Sequence, residues 1–142
     1  MEVVLLIGIP ASGKSTFYQS NFRDTHVRIN RDMLKTKNRV TRFFELCLDL
    51  EQSCVLDNTN LLRSERIALI DRVKEKGVNC IGYYFQTDLK GSLDRNRERK
   101  GKARLPDVAV LGQHARLEIP AVEEGFDRLY YVGSENDGVS IK

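Results

Sequence analysis

Apolar positions along this 142-residue chain fall in two rhythms, short unbroken runs and helical stripes, and the two alternate from end to end. Val3-Val4-Leu5-Leu6-Ile7 has no polar interruption, the pattern of a strand buried on both faces of a parallel sheet. His26 to Ile29, Ser53 to Leu56, Val78 to Phe85 and Asp127 to Val132 predict four more strands, each ending at a polar or turn-forming residue. Between them, stripes and stop signals predict helices over 14–21, 41–52, 63–76 and 89–100, with another beginning at Pro106. In the second of these, Phe43, Phe44, Leu46, Cys47, Leu48 and Leu50 interleave with acidic residues, and the third stops at Gly77. Alternation of this kind predicts one α/β domain over 1–142, a three-layer sandwich on a parallel five-stranded sheet. The polar tail over 134–142 reads as a loose cap holding a short edge strand, Val139 to Ile141.

The junction of the first strand and the first helix is Gly8-Ile9-Pro10-Ala11-Ser12-Gly13-Lys14-Ser15, which fits G-x-x-x-x-G-K-[ST] at every fixed position. Glycines let such a loop turn its N–H groups onto phosphate oxygens at a helix N-terminus. Gly8, Pro10, Ala11, Ser12, Gly13, Lys14, Ser15 and Thr16 are therefore the expected contacts of ATP, with Lys14 on the β- and γ-phosphates and Ser15 on Mg²⁺. This makes the expected architecture the P-loop NTPase fold.

Phosphoryl transfer further needs a group to position the attacking hydroxyl and cations on the transferring phosphate. Asp32 follows the second strand, at the sheet edge where ligands bind in open α/β folds, and is the candidate general base; an Asp there also serves as a helix cap. Asp57 ends the third strand as a second candidate metal residue with Ser15, or as a turn former. Lys35, one turn beyond Asp32, is placed to hold an acceptor phosphate. Arg95 and Arg99 share a face at i, i+4, and Arg104 lies past a break at 101–104, so these three form a candidate phosphate-clamping lid, or else a solvated basic face. Arg97 points elsewhere and reads as surface, while His26 and His114 show no ligand spacing and read as ordinary packing or surface.

Charge enlarges this picture. The net value is only +3, yet residues 23–42 and 90–104 each hold seven basic and two acidic residues, which suits a polyanionic partner beyond ATP. Cys47, Cys54 and Cys80 form no C-x-x-C and read as free core thiols, in keeping with a reducing, cytoplasmic setting. No apolar run is long enough to span a bilayer, and Glu2 stands where a secretory signal needs a basic residue, so no membrane partner is expected.

The constellation resembles the kinase domain of the 5′-OH polynucleotide kinases of the phage and bacterial end-healing type. The resemblance rests on Gly8 to Ser15, Asn30-Arg31-Asp32, Asp57-Asn58-Thr59-Asn60, Arg95-Asn96 with Arg99, and Glu124-Gly125-Phe126 leading into Leu129-Tyr130-Tyr131-Val132. It implies strand order 2-3-1-4-5, Asp32 as general base, Lys14 and Ser15 on phosphates and metal, and Arg99 as the lid residue that clamps ATP. Acceptor binding would draw on Arg31, Asp32, Lys35 and Asn60. Lys35 departs from the family's arginine at that position and loses its bidentate fork. Family members tend to carry a phosphatase or ligase domain; the expectation here is a kinase that acts alone or one for which another chain supplies the rest. The expected activity is transfer of the ATP γ-phosphate to the 5′-hydroxyl of a nucleic acid. A kinase for a small metabolite (sugar, nucleoside or antibiotic hydroxyl) and a nucleotide-gated binding module are the alternatives.

Overall fold

The computed structural model describes residues 1–86, 89–101 and 104–133, and the backbone of 139–141. Its strands are β1 (Glu2–Ile7), β2 (Val27–Ile29), β3 (Cys54–Asp57), β4 (Asn79–Gln86), β5 (Arg128–Gly133) and β6 (Val139–Ile141). Its helices are α1 (Lys14–Asn21), α2 (Arg31–Leu34), α3 (Lys37–Asp49), α4 (Arg63–Glu75), α5 (Leu89–Glu98) and α6 (Asp107–Arg116). The sheet runs β2-β3-β1-β4-β5-β6, the first five parallel in the expected order and β6 antiparallel on β5.

The apolar run from Val3 to Ile7 is fully buried, as a central strand between β3 and β4 must be. Side chains alternate between faces. Val3, Leu5 and Ile7 join Phe44, Cys47 and Leu48 of α3 and Ile70 and Val73 of α4 in one core; Val4 and Leu6 join Tyr18 of α1 and Phe22 in the other. All three cysteines lie in the first core. Ile9, Leu61 and Val110 form a third cluster, with Leu89, Leu93 and Leu105 packed against it, so α5 and α6 close over the carboxyl edge of the sheet. Register puts Leu6 beside Asp57, which carries the end of β3 to the start of the phosphate loop.

Two helix boundaries differ from expectation for local reasons. α3 starts four residues early because the Thr36 hydroxyl accepts from Arg39 N–H at 3.2 Å, a cap outside the apolar stripe. α5 ends at Glu98 and not at residue 100, and the Arg99 N–H closes a tighter turn onto Asn96 O at 3.1 Å. Lys102 and Ala103 of the expected break, and 134–138 and 142 of the expected cap, lie outside the described residues.

Candidate phosphate and acceptor site

The phosphate loop is pinned across the sheet edge by Gly8 N–H donating to Thr59 O at 3.0 Å. A Cβ on Gly8 would stand 2.9 Å from Ser12 Oγ and 3.1 Å from Phe85 Cβ, so the loop closes here only around glycine. Gly13 takes φ +99° at the N-cap of α1, which has no side-chain cap. The first-turn N–H groups of α1 are thus directed at the loop, as anion binding requires. Lys14 Nζ donates to Gly8 O and Ile9 O, both at 2.8 Å, and to Ser12 Oγ at 3.2 Å. Burial pushes its ammonium down from 10.5 to about 8, with Arg99 adding repulsion and Asp57 opposing both.

Beside it, Ser15 Oγ lies 3.5 Å from Asp57 Oδ2, an exposed hydroxyl and a buried carboxylate. Sequence reasoning missed the third member of this corner. Arg28 Nε donates to Asp57 Oδ2 at 2.7 Å and its Nη2 to Ser15 Oγ at 3.0 Å. Alternation signals it: β2 pairs Arg28 with Val55, so Arg28 shares a sheet face with Asp57 two residues on. The hard oxygen donors of Ser15 and Asp57 fit Mg²⁺, and the loop fits a polyphosphate.

The acceptor motif is built from side-chain clamps. Asn30, not Asp32, caps α2: its Oδ1 accepts from Met33 N–H at 2.9 Å while its Nδ2 donates to Asp57 O at 2.7 Å. Asn58 Oδ1 accepts from Arg31 N–H at 2.8 Å, so both ends of the turn after β3 hold α2 in place. Asp32 is thereby free of the capping role and stands exposed in the first turn of α2. Lys35 is exposed as the C-cap, with φ +78°. Asn60 turns inward, its Nδ2 donating to Leu6 O at 2.7 Å and Leu56 O at 3.2 Å, which fastens β1 to β3. Below it, buried Arg66 donates twice to Glu124 at 2.7 and 2.8 Å, and again to Asn60 O and Leu61 O at 2.9 Å. An arginine in α4 and a glutamate 58 residues later show no local pattern that could have revealed them.

Of the expected i, i+4 pair, Arg95 lies within α5 and Arg99 one residue past its end. Arg95 Nε donates to Gly91 O at 3.2 Å within its own helix. Arg99 lies just past the helix, near enough to repel the Lys14 ammonium, and Arg104 is exposed with its N–H on Gly101 O at 3.2 Å. Buried Asn96 clamps the returning chain, with Nδ2 on Leu105 O at 2.6 Å and Oδ1 on Leu105 N–H at 2.9 Å. Arg97 is exposed, as expected, and pairs with Asp107 of α6 at 2.8 Å.

A sequence-family model described as an AAA domain matches residues 3–120. The chain belongs to that family. With the loop, the strand order and its relatives, this AAA domain is a P-loop kinase domain. It is 33% identical over 129 residues to the bifunctional polynucleotide phosphatase/kinase of Schizosaccharomyces pombe, covering 88% of this chain and 32% of that one. A putative bifunctional polynucleotide phosphatase/kinase of Acanthamoeba polyphaga mimivirus is 30% identical over 135 residues, covering 90% and 32%. The domain therefore spans about a third of the length of these relatives. A gluconokinase structure from Sinorhizobium meliloti shares its fold at TM-score 0.63 and 17% identity, over 95% of this chain and 83% of that one. No helix among the described residues is long and apolar enough to cross a membrane.

Proposed function

We propose that the domain transfers the γ-phosphate of ATP to the 5′-hydroxyl end of a nucleic acid. The observation that carries this reading is the placement of Asp32: exposed, released from capping by Asn30, and on a helix tied to the backbone of Asp57 at 2.7 Å. A carboxylate so placed can orient an acceptor hydroxyl and take its proton. Lys14 and the first turn of α1 hold the phosphates, and Arg99 adds positive charge on the lid side. Ser15 and Asp57 would hold Mg²⁺, which when bound neutralises charge on the phosphate oxygens. Exposed Arg31, Lys35, Lys37 and Arg39 make a basic approach to Asp32 that suits a strand end better than a neutral metabolite. The polynucleotide kinase relatives support the same acceptor. ATP use and three core thiols suit a cytoplasmic setting.

The test pairs two measurements on Asp32→Asn. ADP affinity by titration should stay at the wild-type level, while single-turnover labelling of a 5′-OH oligonucleotide from γ-labelled ATP should fall by about 10²–10⁴. Labelling of gluconate or a nucleoside in preference to the oligonucleotide would shift the reading to a metabolite kinase, a chemistry that the shared fold also serves. Undiminished transfer would remove Asp32 from the site.

A further inference from the structure

Arg28 lies outside every part of the phosphoryl-transfer machinery so far assigned, yet it holds both residues that would carry the metal. Its Nε is 2.7 Å from Asp57 Oδ2 and its Nη2 is 3.0 Å from Ser15 Oγ. The guanidinium also lies 6.0 Å from the centroid of the Tyr18 ring, and Tyr18 is itself fixed by its hydroxyl donating to His26 O at 2.6 Å. The arginine side chain is 22% exposed and the Asp57 side chain 2%, so this is an ordered, half-enclosed contact and not a passing surface pair.

The same atoms face two demands. Asp57 Oδ2 accepts from Arg28 and, at 3.5 Å, from the Ser15 hydroxyl, while the Ser15 oxygen accepts from the other arm of the guanidinium. A divalent cation would draw on those oxygens, and a guanidinium a few ångströms away repels it in a corner poorly screened by water. We propose that Arg28 is a tethered cation that competes with the divalent metal for Ser15 and Asp57, so that metal is held there only when bound nucleotide phosphates add their attraction. Arg28 thus couples metal binding to nucleotide binding, as a positioning residue and not a catalytic one. The inference rests on the reading of the loop as a nucleotide cradle.

The readout is the ratio of ADP dissociation constants without and with Mg²⁺, measured by calorimetry in the wild type, Arg28→Gln and Arg28→Lys. Removing the competing charge lets metal bind without nucleotide, so the ratio should fall about tenfold in Arg28→Gln, a coupling of ordinary size, with less change in Arg28→Lys. Mn²⁺ binding to the nucleotide-free protein, followed by electron paramagnetic resonance, should tighten in the same order. A ratio that is unchanged or larger in Arg28→Gln overturns the proposal while leaving the cradle standing. Should Arg28→Gln fail to fold, the Arg28 Nε–H resonance of the wild type decides: it should move when Mg²⁺ is added to the ADP-bound protein and stay still with K⁺ at equal ionic strength. A resonance that ignores Mg²⁺ overturns the proposal. Wild-type protein that binds no ADP at all overturns the cradle and this inference with it.

Discussion

The two halves of the site are made by different means. On the phosphate side, Lys14 and Asp57 are buried at 8% and 2% exposure, and the loop is held by backbone bonds and by the enclosed Arg66–Glu124 pair. On the acceptor side, α2 is four residues long and none of them is buried. That helix stays in place through Asn30 and Asn58 alone among the hydrogen bonds described above. The contrast follows from the work of each half. Charge on a transferring phosphoryl group is stabilised best by dipoles that are fixed beforehand and shielded from water. On the proposed reading, a macromolecular acceptor reaches Asp32 from solvent, and the open position of that residue suits it.

The sharpest way to break the comparison is to remove the buried cation. Lys14→Met should lower transfer by at least about 10³-fold, because an interaction aimed at developing charge is lost. The wild type should also show the proton linkage of that lysine. Burial sets its free-state value at about 8, and bound phosphates favour the charged form, so ADP binding takes up a proton above that pH. ADP affinity should therefore fall as pH rises through about 8, and calorimetry in buffers of different ionisation enthalpy should report the uptake. Lys14→Met should abolish it. Affinity that is flat from pH 7 to 9.5 would mean that Lys14 does not meet the phosphates.

A second test strikes the support beneath the phosphate side. Arg66→Met leaves the Glu124 carboxylate buried without its guanidinium, and one-sided removal of a buried pair costs about 3–5 kcal/mol. In a domain of this size that is a fall in Tm of roughly 10 °C. Replacing both, Arg66→Met with Glu124→Leu, should recover the part of the loss due to the unpaired carboxylate, though Asn60 O, Leu61 O and Ala121 N–H lose their partners. Equal destabilisation in the double variant would show that the bonds from Arg66 to Asn60 O and Leu61 O, not the charge pair, hold the loop.

The same contrast divides what the sequence could reveal. Strands and the loop are local or repeated signals: an unbroken apolar run, an alternation of elements, the glycines Gly8 and Gly13. Asp32 and Asp57 were legible because each follows a strand at the ligand-binding edge. What escaped notice is carried by contacts between distant segments. Arg28 is one charge in a basic block until β2 is set beside β3, and Arg66 carries no signal of its own until Glu124 is brought under it. Asn96, near the end of α5, likewise binds Leu105 nine residues on. Hydrophobic periodicity carries no information about such a clamp.

The smallest effect should come from that clamp. Asn96 is fully buried and spends both ends of its amide on one residue, so Asn96→Ala leaves Leu105 N–H and C=O without their partner. A net loss of about 1–2 kcal/mol is the ordinary size of two such bonds, partly offset where water reaches the freed groups. Because α5 and α6 also meet through Leu93, Leu105 and Val110, the segment should loosen locally and not unfold the domain. Amide exchange at Leu105 should quicken by about tenfold or more, while the β1 amides keep their protection. ADP affinity should move little, since the cradle lies elsewhere. Transfer should fall several-fold, because Arg99 lies in the segment between Asn96 and Leu105 that the side-chain clamp ties together. Faster exchange with undiminished transfer would separate this segment from the chemistry and leave Arg99 as part of a solvated basic face; slower transfer with exchange unchanged would show that Asn96 acts on the site by another route than its hold on Leu105.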